Sequence, residues 1–180
     1  MPITDRDLAA RIARGDQDAF AELIQQNQSA VFNVAYRFFG NAHDAEDAAQ
    51  ETFLRAWRFF DKFDADRPLG PWLKRIAANV CLNRLESARP LLSLDDERPA
   101  PPDPNPGPES LAVKRGLERR IRFELTSLPP RYRAVIELRH FQDCSYEEIA
   151  TALNRPLSDV KSDLFRARKI LAERLKDLHP

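Results

Sequence analysis

Between Arg89 and Ser110 stand seven prolines, Pro90, Pro99, Pro101, Pro102, Pro104, Pro106 and Pro108, interspersed with Asp95, Asp96, Glu97 and Asp103. Proline has no backbone N–H to give a helix, and its ring clashes with the preceding turn, so no helix can run through this stretch. The acidic composition leaves little to bury, and the segment reads as an extended, semi-rigid linker. It divides the 180 residues into modules at 1–88 and 111–180. Each is long enough to form its own core without disulfides or metals.

The formal net charge of zero hides an uneven distribution. Residues 1–88 carry 11 basic and 13 acidic side chains, residues 89–110 carry 2 and 5, and residues 111–180 carry 15 and 10. A basic last module behind an acidic front and linker predicts different partners for the two ends. Cys81 and Cys144 are too few and too far apart for a disulfide framework or a zinc site, and read as two reduced thiols. His43, His140 and His179 lack the spacing for metal or acid–base work, so neither metal nor cofactor is expected. The carboxylates Asp44, Glu46 and Asp47 have no second ligand cluster to complete a cation site. No apolar run is long enough to span a bilayer and the N-terminus lacks a signal-peptide pattern, which leads us to expect a cytosolic protein without membrane insertion.

Both modules read as helical, giving an all-α fold of two small domains. Thr4 with Asp7 forms a capping pair, and Gly15 closes the helix that follows. Phe20, Leu23, Ile24, Val31, Val34, Ala35 and Phe38 make one stripe of a helix from Gln17 to Phe39, with Gly40 at its end. A third helix is predicted from Ala45 to Phe60, and a fourth from Pro71 towards Leu85. In the second module, helices are predicted over Leu111–Leu128 and Arg131–Phe141, then from Ser145 and from Ser158.

Ser145-Tyr146-Glu147-Glu148 is a capping box, and Ile149, Ala150 and Leu153 give its short helix a buried face. Asn154-Arg155-Pro156 then breaks the chain before a longer basic helix. A short helix, a tight turn and a longer basic helix is the layout of a helix-turn-helix. At 100° per residue, Val160, Leu164, Ala167, Leu171 and Leu175 form the inner stripe of the last helix. Ser158, Ser162, Phe165, Arg166 and Lys169 fall roughly opposite, with Lys161 beside them. Hydroxyls, an aromatic and cations on one face suit base edges, thymine methyls and phosphates. Asp159 fits as a first-turn anion on the helix dipole, whereas Asp163 has no evident role on such a face.

In the first module the helix from Ala45 has a core stripe of Ala45, Ala49, Phe53, Ala56 and Phe60, flanked by Trp57. Its reverse face holds Asp47, Gln50, Glu51, Leu54, Arg55, Arg58 and Asp61, an apolar side chain within a ring of charges, as in a protein-binding patch. The helix from Pro71 buries Leu73, Ile76, Ala77 and Val80, with Trp72 at the margin, and is expected to turn Lys74, Arg75, Ala78 and Asn79 outward. Cations and an amide near aromatics suit phosphates and unpaired bases.

Together these stretches resemble the sigma-70 family in its smallest class, the extracytoplasmic-function (ECF) sigma factors. The resemblance is carried by Asp18-Ala19-Phe20, by Asp44-Ala45-Glu46-Asp47, by Gln50 through Trp57, and by Trp72-Leu73 with Arg75-Ile76-Ala77 and Asn79. In the second module it is carried by Leu128-Pro129, Arg131-Tyr132-Arg133, Tyr146 through Ala150, Val160-Lys161-Ser162 and Arg166-Ala167-Arg168. It implies a non-enzymatic subunit that directs core RNA polymerase to promoters, with residues 1–88 as sigma domain 2 and residues 111–180 as sigma domain 4. Asp47, Gln50, Glu51, Leu54, Arg55 and Arg58 would meet the clamp helices of polymerase, and the second module its flap. Phe63, Arg67, Trp72, Lys74, Arg75 and Asn79 would hold the melted −10 element. Arg155, Ser158, Lys161, Ser162, Phe165, Arg166 and Lys169 would read double-stranded DNA at −35. The linker would thread towards the active-site cleft, and an anti-sigma factor would hold the protein silent.

Some positions depart from the family pattern. Ala78 and Asp163 each stand where an arginine is common, Glu86 where the chain is usually basic, and Ser158-Asp159 where Gly-Thr is usual. Each lost phosphate contact would flatten the log–log salt dependence of DNA binding by about 0.9, so weak binding to free DNA is expected. A regulator that binds DNA without polymerase would have no use for the Asp47/Leu54/Arg58 face, which is how the first module discriminates the two readings.

Overall fold

The computed structural model describes residues 4–88 and 109–178, with the side chains of residues 109–114 excepted. The proline-rich linker reading therefore lies outside the described residues, save that Glu109 and Ser110, placed in the linker above, already belong to a helix. Among the described residues the regular structure is entirely helical: α1 Asp5–Ala13, α2 Gln17–Phe39, α3 Ala42–Arg58, α4 Leu69–Ala88, α5 Glu109–Thr126, α6 Pro130–Ile136, α7 Tyr146–Leu153 and α8 Leu157–Arg174.

Short-range chemistry sets most of the boundaries. Thr4 and Asp7 form the expected reciprocal cap of α1, and Gly15 follows at a φ of +85° that any side chain would strain. Asp16 caps α2 by accepting the Ala19 N–H at 2.9 Å, and Gly40 ends α2 in the left-handed region. Asn41 caps α3 by accepting the Asp44 N–H at 2.9 Å, so α3 starts three residues before the expected Ala45. It also stops at Arg58, and Phe60–Lys62 form a separate single turn. Helix α4 begins at Leu69, where the Leu69 N–H donates to Asp5 Oδ2 at 2.9 Å. Pro71 is thus its third residue, still in the first turn, where a missing N–H costs nothing.

In the first module α2, α3 and α4 pack around Leu23, Val31, Val34, Phe38, Ala45, Ala56, Leu73, Ala77 and Val80, all fully buried, with α1 closing one end. Each of the larger side chains contributes about 1.5–3 kcal/mol by leaving water. Ala48 and Thr52 widen the buried face of α3 beyond the expected stripe, and the Thr52 hydroxyl donates to the Ala48 carbonyl at 2.7 Å. In the second module α6 and α8 pack together, and α7 packs on α8 and on the turn that follows α6. The helix expected over Arg131–Phe141 is regular only to Ile136. Glu137–Phe141 widen into a π turn in which the Gln142 N–H reaches back to the Glu137 carbonyl.

Both modules share a contact surface. Arg133, nearly buried, donates to the Phe38 carbonyl at the end of α2 and to the Thr126 and Leu128 carbonyls at the end of α5. One guanidinium thereby caps helices from both modules. Burial draws its pKa down to about 10. Both cysteines are free and buried; desolvation, with Glu137 nearby, pushes the Cys81 thiol far above its ordinary value.

Candidate polymerase and promoter surfaces

The outer face of α3 carries an apolar side chain in a charged frame. Leu54 is 70% exposed, beside the Glu51–Arg55 ion pair at 2.7 Å. Arg84 on α4 approaches Glu51 at 3.4 Å and Asp47 at 3.8 Å, which holds the carboxylates of this face in place. Gln50 and Arg58 are exposed, as the sequence reading expected. Two aromatics extend the patch: Trp57, set edge-on to Phe20 at 4.8 Å, and Phe59, with the Lys62 ammonium 5.1 Å from its ring. Trp57 appeared in the sequence only as a flank of the core stripe. Trp57 remains within α3, whereas Phe59 stands at the end of the shortened helix, before the separate turn.

A second cluster lies where α4 meets the turn before it. Phe60, Phe63 and Trp72 pack against one another in edge-on and tilted arrangements, with centroids 4.8–5.6 Å apart. Of the three, Trp72 borders a cleft of about 620 Å³ lined also by Arg55, Phe59, Lys62, Arg67 and Arg75 on one side and by Glu147, Glu148 and Thr151 on the other. Lys62 and Phe59 belong to this surface and were not singled out from the sequence. Arg75 and Asn79, expected to face outward, are engaged by the second module: Arg75 donates to Glu148 at 2.7 Å and Asn79 to the Ala152 carbonyl at 2.8 Å. Arg67 is exposed and Lys74 half-buried. Ala78 is a correction, because it is fully buried on a helix expected to turn it to solvent. Helix α4 is covered on two sides, by its own module and by α6 and α7.

The helix-turn-helix forms as expected at its start. Ser145 accepts the Glu148 N–H at 3.1 Å, and Glu148 accepts the Ser145 N–H at 2.9 Å. That N–H, followed by the Arg75 guanidinium, holds the Glu148 carboxyl below its ordinary range. Asn154 ends α7 in the left-handed region, and α8 begins at Leu157 rather than Ser158. On α8, Ser158, Lys161, Phe165, Arg166 and Lys169 are exposed, Phe165 by 70%, and Ser162 is half-buried. The Arg166 guanidinium, with that of Arg131, lowers the pKa of the Tyr132 phenol. Asp163 is the second correction: only 4% exposed, it lies outside the DNA-reading face. Its carboxylate takes Arg155 at 3.1 Å and Arg131 at 3.7 Å, tying α8 to the turn and to α6. The angular position of Asp163, 60° from Val160, carried this signal. Arg155, expected to reach DNA, spends one nitrogen on that pair.

Family models match both halves of this arrangement: Sigma-70 region 2 over residues 23–90, and Sigma-70 region 4 over residues 118–171. The ECF RNA polymerase sigma factor SigW of Bacillus subtilis is 35% identical over 177 residues, covering 93% of this chain and 95% of the relative. The chain belongs to the ECF class of the sigma-70 family. The sigma-E factor of Escherichia coli is 34% identical over 185 residues, covering 98% of this chain and 96% of its own. Among solved structures, CnrH in complex with the cytosolic domain of CnrY superimposes with a TM-score of 0.63 at 30% identity, over 98% of this chain and 99% of that one. The sigma factor RpoE from Bartonella quintana, in complex with the anti-sigma factor NepR, gives 0.63 at 25% identity over 87% and 96%. As an ECF sigma factor, the chain directs RNA polymerase to promoters. The region 2 match contains the α3 patch and the α4 cleft, and the region 4 match contains the helix-turn-helix. Among the described residues of this sigma factor, no helix is long and apolar enough to cross a membrane.

Proposed function

We propose a division of labour within this sigma factor. Residues 1–88 act as domain 2 and residues 111–180 as domain 4, joined by the acidic linker. The α3 face of Asp47, Gln50, Glu51, Leu54, Arg55 and Arg58 docks on the clamp helices of core polymerase. Phe63, Arg67, Trp72, Lys74, Arg75 and Asn79 receive the unstacked −10 strand, with aromatic rings for bases and cations for phosphates. The α8 face of Ser158, Lys161, Ser162, Phe165, Arg166 and Lys169 enters the major groove at −35, with Arg155 at its edge. The subunit is cytoplasmic and performs no catalysis, since polymerase supplies the chemistry. A partner of the anti-sigma kind holds it inactive, a reading supported by the complexes in which CnrH and the Bartonella RpoE are found.

The observation that carries this assignment is Leu54, an exposed leucine on an otherwise charged helix face of a protein that must engage polymerase. The test is transcription from fragmented genomic DNA by core polymerase with and without the protein. Defined new start sites that share −35 and −10 elements are expected. DNA binding with no association to polymerase would refute the proposal.

A further inference from the structure

Beside the reading face of α8 stands an arginine whose partner is an imidazole. At 100° per residue Arg168 lies about 20° from Lys161 and two turns further on, so both cations follow one edge of the helix, about 10 Å apart. A recognition helix meets base edges with its N-terminal residues. Residues two turns on therefore flank the groove, where the backbone phosphates run. Elsewhere in the second module arginines meet carboxylates: Arg120 and Arg174 pair with Glu124, and Arg131 and Arg155 with Asp163. Arg168 instead donates from Nε to Nε2 of His140 at 3.2 Å, and both residues are exposed.

The π turn after α6 brings His140 to this edge. Arg139 beside it is held in place, since its Nη1 donates to the Cys144 carbonyl at 3.0 Å and its guanidinium lies 5.5 Å over the Tyr146 ring. Asp143, at a φ of +52°, stands in the loop that follows. The charges that act on His140 are Arg168, Arg139 and Asp143, two cations against one anion. Other charged groups near the π turn are engaged elsewhere: Arg84 of α4 with Glu51, Glu148 of α7 with Arg75, and Arg37 of α2 with Glu137. Glu147 of α7 lines the cleft between the modules. To accept from Arg168, Nε2 must be unprotonated, so the imidazole is neutral in the free chain. Burial, then Arg168 and Arg139, hold its pKa below the ordinary value, with Asp143 opposing them. An arriving phosphate reverses that balance. It takes the Arg168 N–H, and the imidazole, once protonated, donates from Nε2 to the same anion.

Resting on the −35 reading above, we infer that Arg168 and His140 together hold one backbone phosphate beside the −35 major groove, and that the imidazole takes up a proton from solvent as the duplex binds. The complex then binds that proton more tightly than the free chain does. Affinity for the duplex accordingly rises as pH falls through the bound-state pKa, levels off below the free-state pKa, and is flat above both. Each unit between the two corresponds to about tenfold in affinity. The response falls between about pH 5 and about pH 8, where a histidine titrates.

The experiment titrates the full chain into a rhodamine-labelled duplex carrying the −35 element of a mapped promoter, by anisotropy at low salt from about pH 8 to about pH 5.5. The His140 Cε1–H resonance, assigned by its loss in His140→Gln, is followed by NMR over the same range with and without duplex. Its midpoint is expected at least about one unit higher with duplex, and the parent's affinity is expected to rise about tenfold as pH falls. His140→Gln, whose side-chain carbonyl can still accept from Arg168, is expected to lose the pH response. His140→Lys, a permanent cation, is expected to bind at about pH 8 as the parent does at about pH 5.5. Arg168→Ala is expected to flatten the log–log salt dependence by about 0.9, the share of one phosphate. An unmoved midpoint overturns the inference. So does His140→Gln with the parent's pH response, or Arg168→Ala with the parent's salt slope. In each of these cases, Phe165→Ala that weakens the preference for the mapped duplex over a scrambled one leaves the −35 reading standing. Phe165→Ala that binds both duplexes as the parent does removes that reading too.

Discussion

Asp163 gives the sharpest test of the second module, because two accounts of it predict opposite results. On a DNA-facing position its replacement by arginine would leave stability unchanged and add a phosphate contact. In the structure it is a buried carboxylate between Arg155 at 3.1 Å and Arg131 at 3.7 Å. Removing one partner of a buried pair costs about 3–5 kcal/mol when the remaining charge is stranded, and a charge-assisted hydrogen bond is worth about 1.5–3 kcal/mol. Here the two arginine side chains keep 24% and 44% of their exposure, so water takes over part of their solvation. Asp163→Ala should therefore cost about 2 kcal/mol, near the lower bound. With a urea slope of about 2 kcal/mol per molar, the unfolding midpoint followed by far-ultraviolet circular dichroism falls by about 1 M. Asp163→Arg brings a third cation against Arg131 and Arg155 and should cost about twice as much. The reasoning fails if both variants unfold within about 0.25 M of the parent protein and Asp163→Arg steepens the salt dependence of −35 binding by about 0.9.

Leu54→Glu should leave the urea midpoint unchanged, since the side chain is mostly in water, yet weaken association with core polymerase by about 30-fold or more in a pull-down titration. Ile149→Ala empties a fully buried site under the helix-turn-helix and should cost about 2–4 kcal/mol, read as a lower unfolding midpoint. Glu148 has its carboxyl held below the ordinary range in the folded protein, so the unfolded chain binds more protons across that window. Its contribution is complete above the ordinary glutamate value and lost as pH falls through the folded one. Glu148→Gln should accordingly flatten the acid side of the stability profile measured from about pH 7 to about pH 3, and an unchanged slope would count against the capping and Arg75 contacts.

What could be read in the chain beforehand was local in physical origin. The Thr4–Asp7 and Ser145–Glu148 capping boxes, the end of α2 at Gly40 and the inner stripe of α8 depend on residues three or four apart, whose interactions form in any helix. The exposed Leu54 followed from the same periodicity, as did the outward Phe165. Family-wide order and spacing then gave the class of protein. Boundaries moved where a neighbour outside the repeat intervened, as when Asn41 capped α3 early or Asp5 held the Leu69 amide at the start of α4.

Other features depended on residues distant in sequence, and one-dimensional reading had no access to them. Ala78 and Arg75 sit on a face that a lone amphipathic helix would show to water. That face is covered because a second module, whose Glu148 is 73 residues from Arg75, packs there. Glu137 and Arg37 are 100 residues apart, and nothing near either announces a buried pair. By itself, then, the sequence determined the helices, their inner stripes and the family, since those rest on short-range geometry and ordered motifs. Only the tertiary structure decided which charged and small side chains are spent between the modules, because burial of a surface residue is a property of what packs over it.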